Sequence, residues 1–204
     1  MITIIDYGLG NLSSIKNMLK KISADSIITD DVQKIRDAKK LILPGVGAFD
    51  TGMKNLRAKG LIEILKEKVL VEKMPILGIC LGMQLLTTTS EEGIEPGLNF
   101  IDAKTIKFIF PQNSRMKVPH MSWSDIQIKE YSHPLFKGVI ETPRYYFVHS
   151  YHVKCSNVEN ILAEACYGNN FTSIIGKDNI IGVQFHPEKS HSFGMHILQN
   201  FSAI

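Results

Sequence analysis

The first half of the chain alternates short apolar runs with amphipathic ones. Ile2-Thr3-Ile4-Ile5, Leu41-Ile42-Leu43 and Pro75–Ile79 are almost wholly apolar and end at turn residues, the pattern of strands buried on both faces. Ser26–Thr29 reads as a further short strand. Between these runs the period changes to that of a helix. Over Leu12–Ile22, Leu12, Ile15, Leu19 and Ile22 share one face while Lys16 and Lys20 point outward. Asp31–Lys39 reads as a short helix. Residues 54–71 read as a long one carrying Leu56, Leu61, Ile62, Leu65 and Val69, and Leu81–Thr88 reads as a helix leaving the Pro75–Ile79 strand. Strands that alternate with helices predict parallel pairing through right-handed crossovers.

The second half changes character. Asn99–Phe110, Met121–Ile128, Tyr145–Lys154, Ile161–Cys166, Ser173–Gly176 and Ile180–Phe185 read as strands, with Lys177-Asp178-Asn179 supplying a turn between the last two. Consecutive strands of this kind predict antiparallel pairing at one side of the sheet. His191–Phe201 closes the chain as a helix that packs back through Met195, Leu198 and Phe201. The expectation is one α/β domain over residues 1–204, with an open, mostly parallel sheet flanked by helices and antiparallel strands in the second half. Chemistry in such sheets sits at the carboxyl ends of the parallel strands. Asp6-Tyr7-Gly8, Pro44-Gly45-Val46-Gly47 and Cys80 all fall there.

Two distant segments carry candidate chemistry. Gly78-Ile79-Cys80-Leu81-Gly82 follows an apolar strand and has the form of a nucleophile elbow with cysteine at the apex. Glycines relieve crowding where the backbone doubles back. A helix starting at Leu81 would aim free N–H groups at the sulfur, favouring thiolate, and at an oxyanion on an attacked carbonyl. The plain alternative is a cysteine packed between strand and helix. Phe185-His186-Pro187-Glu188 ends another apolar strand. Residues i and i+2 of a strand point to one side, so Glu188 would orient His186. The plain alternative here is a surface His-Pro turn. Cys80, His186 and Glu188 together form an attacker, a base and an orienter.

With these two segments in hand, the chain resembles a class I glutamine amidotransferase of the Cys-His-Glu triad type. Within that family it resembles the glutaminase subunits of imidazole glycerol phosphate synthase. The resemblance rests on Asp6–Leu12, Pro44–Phe49, Gly78–Leu86, Ser90–Gly93, Val118–Met121, Tyr146–Tyr151 and Gln184–Ser190, which run in family order over essentially the whole chain. It implies a flavodoxin-like sheet and hydrolysis of glutamine through a glutamyl thioester on Cys80. Ammonia would then pass to a partner cyclase (βα)8 barrel. There a ribulosyl formimino-carboxamide nucleotide becomes imidazole glycerol phosphate and an aminoimidazole carboxamide nucleotide.

By motif position, the resemblance assigns Gly47, Gly82, Gln84, Glu92, Ser150 and Tyr151 to binding glutamine. Val46 and Gly47 would join Leu81 in the oxyanion hole, in a loop set correctly only when the partner binds. Asn11, Met121, Trp123, Tyr146 and Lys189 would face the barrel. No cofactor or metal is implied.

The sequence departs from the family pattern at Ser122 and Ser124, where glycine and asparagine are usual, and at His191, usually glycine. Thr87 replaces an aromatic residue. None of these touches the triad, and several fall on the partner-facing side. They resemble paralogues that supply ammonia for amidino groups on surface sugars, which stands as the alternative pathway. A peptidase or γ-glutamyl hydrolase on the same scaffold, and a non-catalytic subunit, are the rival classes.

Composition narrows the field further. The 204 residues suffice for one large domain and leave no room for a synthase, so the acceptor site must lie on a separate chain. Net charge is +3, from 23 basic and 20 acidic residues, and the excess is scattered, which gives no case for nucleic acid. The seven histidines lack metal-ligand spacing. Three cysteines form no CxxC pair, which suits a reducing cytoplasm. Met1–Ile5 ends at Asp6 without basic residues and reads as a strand rather than a signal peptide. No apolar run approaches the roughly 20 residues a membrane span needs.

Overall fold

The computed structural model describes residues 1–204. Its elements run β1 (Ile2–Ile5), α1 (Leu12–Lys21), β2 (Ser26–Thr29), α2 (Val32–Arg36), β3 (Lys40–Gly45), α3 (Phe49–Ala58), α4 (Leu61–Lys66), β4 (Ile76–Cys80) and α5 (Leu81–Leu85). The second half adds β5 (Thr89–Ser90), β6 (Ala103–Lys107), β7 (His120–Ile128), β8 (Arg144–His149), β9 (Tyr151–Cys155), β10 (Ile161–Tyr167), β11 (Asn169–Lys177), β12 (Ile180–Val183) and α6 (His191–Ala203). No helix is long and apolar enough to cross a membrane.

The main path of the sheet is β2-β1-β3-β4-β12-β11-β10-β7-β8. From β2 to β12 every pair is parallel, and from β12 to β8 every pair is antiparallel. β5, β6 and β9 branch off through β9–β11 pairing. The expected α/β architecture, a parallel core with antiparallel strands from the second half, is borne out.

The apolar runs are explained by two cores, one on each face. Ile4, Ile42, Leu77, Ile79 and Val183 face one core with Ile15 and Leu19 of α1 and Leu198 and Phe201 of α6. Ile5, Leu41, Leu43 and Ile76 face the other, with Phe49, Leu56, Leu65, Leu81 and Leu85 from α3, α4 and α5. Each strand feeds both, so every position of β1, β3 and β4 is buried except Lys40 at the start of β3. At ~25 cal/mol per Å², each buried Leu or Ile contributes about 2 kcal/mol.

The structure corrects several boundaries. The single helix expected over residues 54–71 is two helices followed by a π-turn at Glu67–Val71, because Gly60 takes φ +68° and ends α3. The strand expected over Tyr145–Lys154 is two strands, β8 and β9, interrupted at Ser150. Asn99–Phe110 contributes only Ala103–Lys107, and the helix after Cys80 stops at Leu85. β11 is longer than Ser173–Gly176, and its turn into β12 is Asp178-Asn179, with Asp178 at φ +52°. β12 ends at Val183, so His186 and Glu188 do not lie on a strand. They flank Pro187, and Pro187–Lys189 is a 3₁₀ turn.

Candidate active site

Cys80 is the last residue of β4 and sits at φ +54°, ψ −111°, a strained conformation for a residue with a side chain. The flanking glycines explain how the chain tolerates it. A Cβ on Gly82 would lie 1.8 Å from the Leu43 carbonyl oxygen, and one on Gly78 would lie 2.8 Å from the Gly82 backbone. The turn therefore closes only with glycine at both places. It delivers Cys80 to the carboxyl edge of the sheet, beside Gly45 of β3.

Next to β4, β12 runs into the turn that holds His186 and Glu188. His186 Nδ1 lies 2.9 Å from Glu188 Oε1, and the two side chains are 2% and 1% exposed. Glu188 Oε1 also accepts from Asn11 Nδ2 at 3.1 Å. A carboxylate can only accept, so Nδ1 carries the proton and Nε2 is left for the sulfur. Burial works against a charged His186. Interaction with Cys80 and Glu188 overcomes it and holds the imidazole up to about 10. Burial likewise pushes the Glu188 carboxyl up, but His186 and Asn11 hold it below its ordinary value. His186 Nε2 has no hydrogen bond of good geometry, although its interaction with Cys80 is the largest of those that hold the imidazole up. Catalytic hydrogen bonds commonly tighten only around substrate.

A cavity of about 240 Å³ opens over the sulfur. It is lined by Cys80, His186, Val46, Gly47, Leu81, Gln84, Glu92, Ser150 and Tyr151, all expected from the sequence. Pro119, Val148 and His149, which were not expected, complete the wall. Leu81 is the first residue of α5, so its N–H has no partner within the helix and is free for an oxyanion. Val46 is 45% exposed and Gly47 takes φ +126°, so the facing loop lies open. Glu92 Oε2 accepts from the Phe49 N–H at 2.8 Å and so caps the start of α3. Gly82 does not line the cavity; its place is behind the elbow, against Leu43.

The expected partner-facing residues fall into two groups. Met121 and Trp123 are exposed on β7, and Lys189 Nζ lies 5.7 Å over the Tyr146 ring of β8. Trp123 stacks on His191 with ring centroids 5.4 Å apart, so the residue that departs from the usual glycine builds onto this surface. Asn11 differs, since its side chain is committed to Glu188.

Beneath β7 and β8 lies a polar chain that sequence reading missed. The Tyr151 carbonyl accepts from His149 Nδ1 at 2.7 Å and from Gln84 Nε2 at 3.1 Å. His149 Nε2 then accepts from His120 Nδ1 at 3.1 Å, and His120 Nε2 accepts from the Ser122 and Ser124 hydroxyls. Burial pushes His120 down to about 4 and His149 down to about 3, so both rings are neutral at physiological pH. Ser122 and Ser124, two of the departures, thus satisfy a buried histidine.

The sheet and the cavity together describe an α/β protein equipped for acyl chemistry on a thiol. The sequence profile described as Glutamine amidotransferase class-I matches residues 3–204. The chain is 57% identical over 201 residues to "Imidazole glycerol phosphate synthase subunit HisH 2" of Methanococcus maripaludis, covering 98% of each protein. It is 47% identical to the protein of the same description in Pseudomonas aeruginosa, again covering 98% of each. A crystal structure of a glutamine amidotransferase superposes with a TM-score of 0.75 at 16% identity, covering 100% of each chain, a likeness of fold alone. The chain belongs to the class I glutamine amidotransferases and is a glutamine-hydrolysing enzyme.

Proposed function

We propose that this chain is the single-domain glutaminase subunit of an imidazole glycerol phosphate synthase, acting in the cytoplasm and passing ammonia to a separate cyclase (βα)8 barrel. The full-length 57% identity to a subunit so described carries the pathway. The juxtaposition of Cys80, His186 and Glu188 around one cavity supports the chemistry.

The Cys80 thiolate attacks the carboxamide carbon of glutamine, and the oxygen takes up the negative charge. Leu81 N–H, joined by an N–H of the Val46-Gly47 segment, stabilises that oxyanion. The C–N bond breaks as the His186 imidazolium gives its proton to the leaving nitrogen, and ammonia departs. The glutamyl thioester remains on the sulfur. His186, now neutral, takes a proton from water as the water attacks the thioester. The thiolate leaves as the γ-carboxylic acid forms, the acid loses its proton to solvent to give glutamate, and His186 is again the imidazolium. Glu188 holds Nδ1–H throughout. Gln84, Glu92, Gly47, Ser150 and Tyr151 supply the polar edges that hold glutamine, with Gly82 setting their backbone. Met121, Trp123, Tyr146 and Lys189 form the barrel-facing surface, with Asn11 at its margin.

The test is glutamate release by the chain alone and with a histidine-pathway cyclase barrel carrying a ligand of its acceptor site. Large stimulation, lost in Cys80→Ala, is expected. A Cys80 that reacts with a glutamine-analogue electrophile but gains nothing from the barrel would overturn the pathway assignment and point to the sugar-amidating paralogues.

A further inference from the structure

Gln184 sits between the end of β12 and the triad turn and is fully buried. Its Nε2 lies 3.8 Å from Cys80 Sγ, and its Oε1 accepts from Gln84 Nε2 at 3.1 Å. The direction of this chain is dictated by one atom. The Tyr151 carbonyl can only accept, so the Gln84 group facing it must be the NH₂ end. The second hydrogen of that NH₂ needs an acceptor, which fixes Gln184 Oε1 toward Gln84. The NH₂ of Gln184 is then turned to the sulfur and cannot be flipped without setting two donors or two acceptors face to face. The other lone pair of the Tyr151 carbonyl is taken by His149, so the anchor cannot rotate away.

A thiol is a weak acceptor, whereas a thiolate accepts strongly from an amide N–H. A donor locked against the sulfur therefore selects the ionised form. We propose that Gln184 is a further catalytic residue, whose side-chain amide donates to the Cys80 sulfur and stabilises its thiolate, with Gln84 and the Tyr151 carbonyl fixing the amide as a donor. Thiolate stabilisation then comes from two sides, imidazolium from the triad turn and amide from the end of β12. Gln84, expected to hold glutamine, has a second task in orienting Gln184. The inference rests on Cys80 being the nucleophile.

The titratable groups around the sulfur are His186 with Glu188 behind it, Tyr7 beneath β3, and His149 and Glu92 across the cavity. None of them is altered in Gln184→Met, which keeps the length of the side chain and removes the donor. The experiment follows the rate of Cys80 alkylation by iodoacetamide against pH in the full chain. Peptide mass spectrometry resolves Cys80 from Cys155 and Cys166. The expected result is a midpoint raised by about one pH unit, an approximately tenfold loss of thiolate below it. A second readout needs no variant. In the wild type, the Gln184 side-chain amide proton should shift in NMR with the Cys80 midpoint, and Cys80→Ala should abolish that shift.

A folded Gln184→Met with the wild-type midpoint, or an amide proton indifferent to Cys80 ionisation, would reduce Gln184 to a structural amide and overturn the proposal. Should Gln184→Met fail to fold, the amide shift alone decides. Failure of the underlying reading looks different: wild-type Cys80 would not react with a glutamine-analogue electrophile at any pH.

Discussion

The elbow at Cys80 and the turn at His186 meet at one cavity, yet they are held by different physics. The elbow is a steric object. Its conformation follows from two positions where no side chain fits, and its helix buries every residue from Leu81 to Leu85. The triad turn is an electrostatic one. Pro187 shapes it, but the role proposed for it depends on a buried carboxylate, an imidazole held charged up to about 10, and a donor 177 residues away in sequence at Asn11. Steric sites fail all at once, whereas electrostatic ones can be weakened in steps.

Gly82→Ala should give the largest effect. The new methyl would meet the Leu43 carbonyl at 1.8 Å, so either the elbow or β3 must move. A loss of about 4 kcal/mol or more is expected, in the range reserved for named packing faults, measured as a fall in denaturant midpoint. Near-wild-type stability would show that the elbow is not held by steric exclusion.

Glu188→Gln should fold and lose function. Without the anion the imidazolium is no longer favoured, and glutamate release should fall by about 10²-fold or more. The stability consequence has a defined sign. Glu188 is held below its ordinary value of 4.5 when folded, so it contributes stability that is present above about pH 4.5 and lost as pH falls through the folded value. A buried, charge-assisted bond of this kind is worth about 2 kcal/mol. The gap in unfolding free energy between wild type and Glu188→Gln should therefore be wide at pH 7 and close on acidification. A gap independent of pH would contradict the assignment.

Asn11→Ala should give the smallest effect. It removes one of two donors to Glu188 Oε1 and leaves His186 in place, costing about 1 kcal/mol and a severalfold loss of rate. A loss seen only when the barrel is present would return Asn11 to the interface alone.

The contrast also explains what the sequence could disclose. Steric features were legible because they are local. Gly78 and Gly82 announce the elbow, and alternating apolar runs announce two cores. Boundaries were misplaced where a single residue overrides a longer pattern, as Gly60 does within residues 54–71 and Ser150 does between β8 and β9. His186 and Glu188 meet at a turn rather than on the strand expected for them. The links from Gln84 to Gln184, from Asn11 to Glu188 and from Ser122 to His149 by way of His120 stayed hidden. Each depends on strands or turns meeting across the sheet, and no periodicity encodes that. The signals for Gln184 were its place two residues before His186 and at the head of the Gln184–Ser190 segment, neither of which points to the sulfur.

The most direct test of the central claim, that glutamine is cleaved on Cys80 with His186 and Glu188 behind it, is the mass of the enzyme caught during turnover. The chain, mixed with the cyclase barrel proposed as its partner, is acid-quenched while hydrolysing glutamine and then digested. The account predicts a glutamyl adduct on the Cys80 peptide, absent in Cys80→Ala. Turnover with no adduct in the wild type, or an adduct on Cys155 or Cys166, would contradict it.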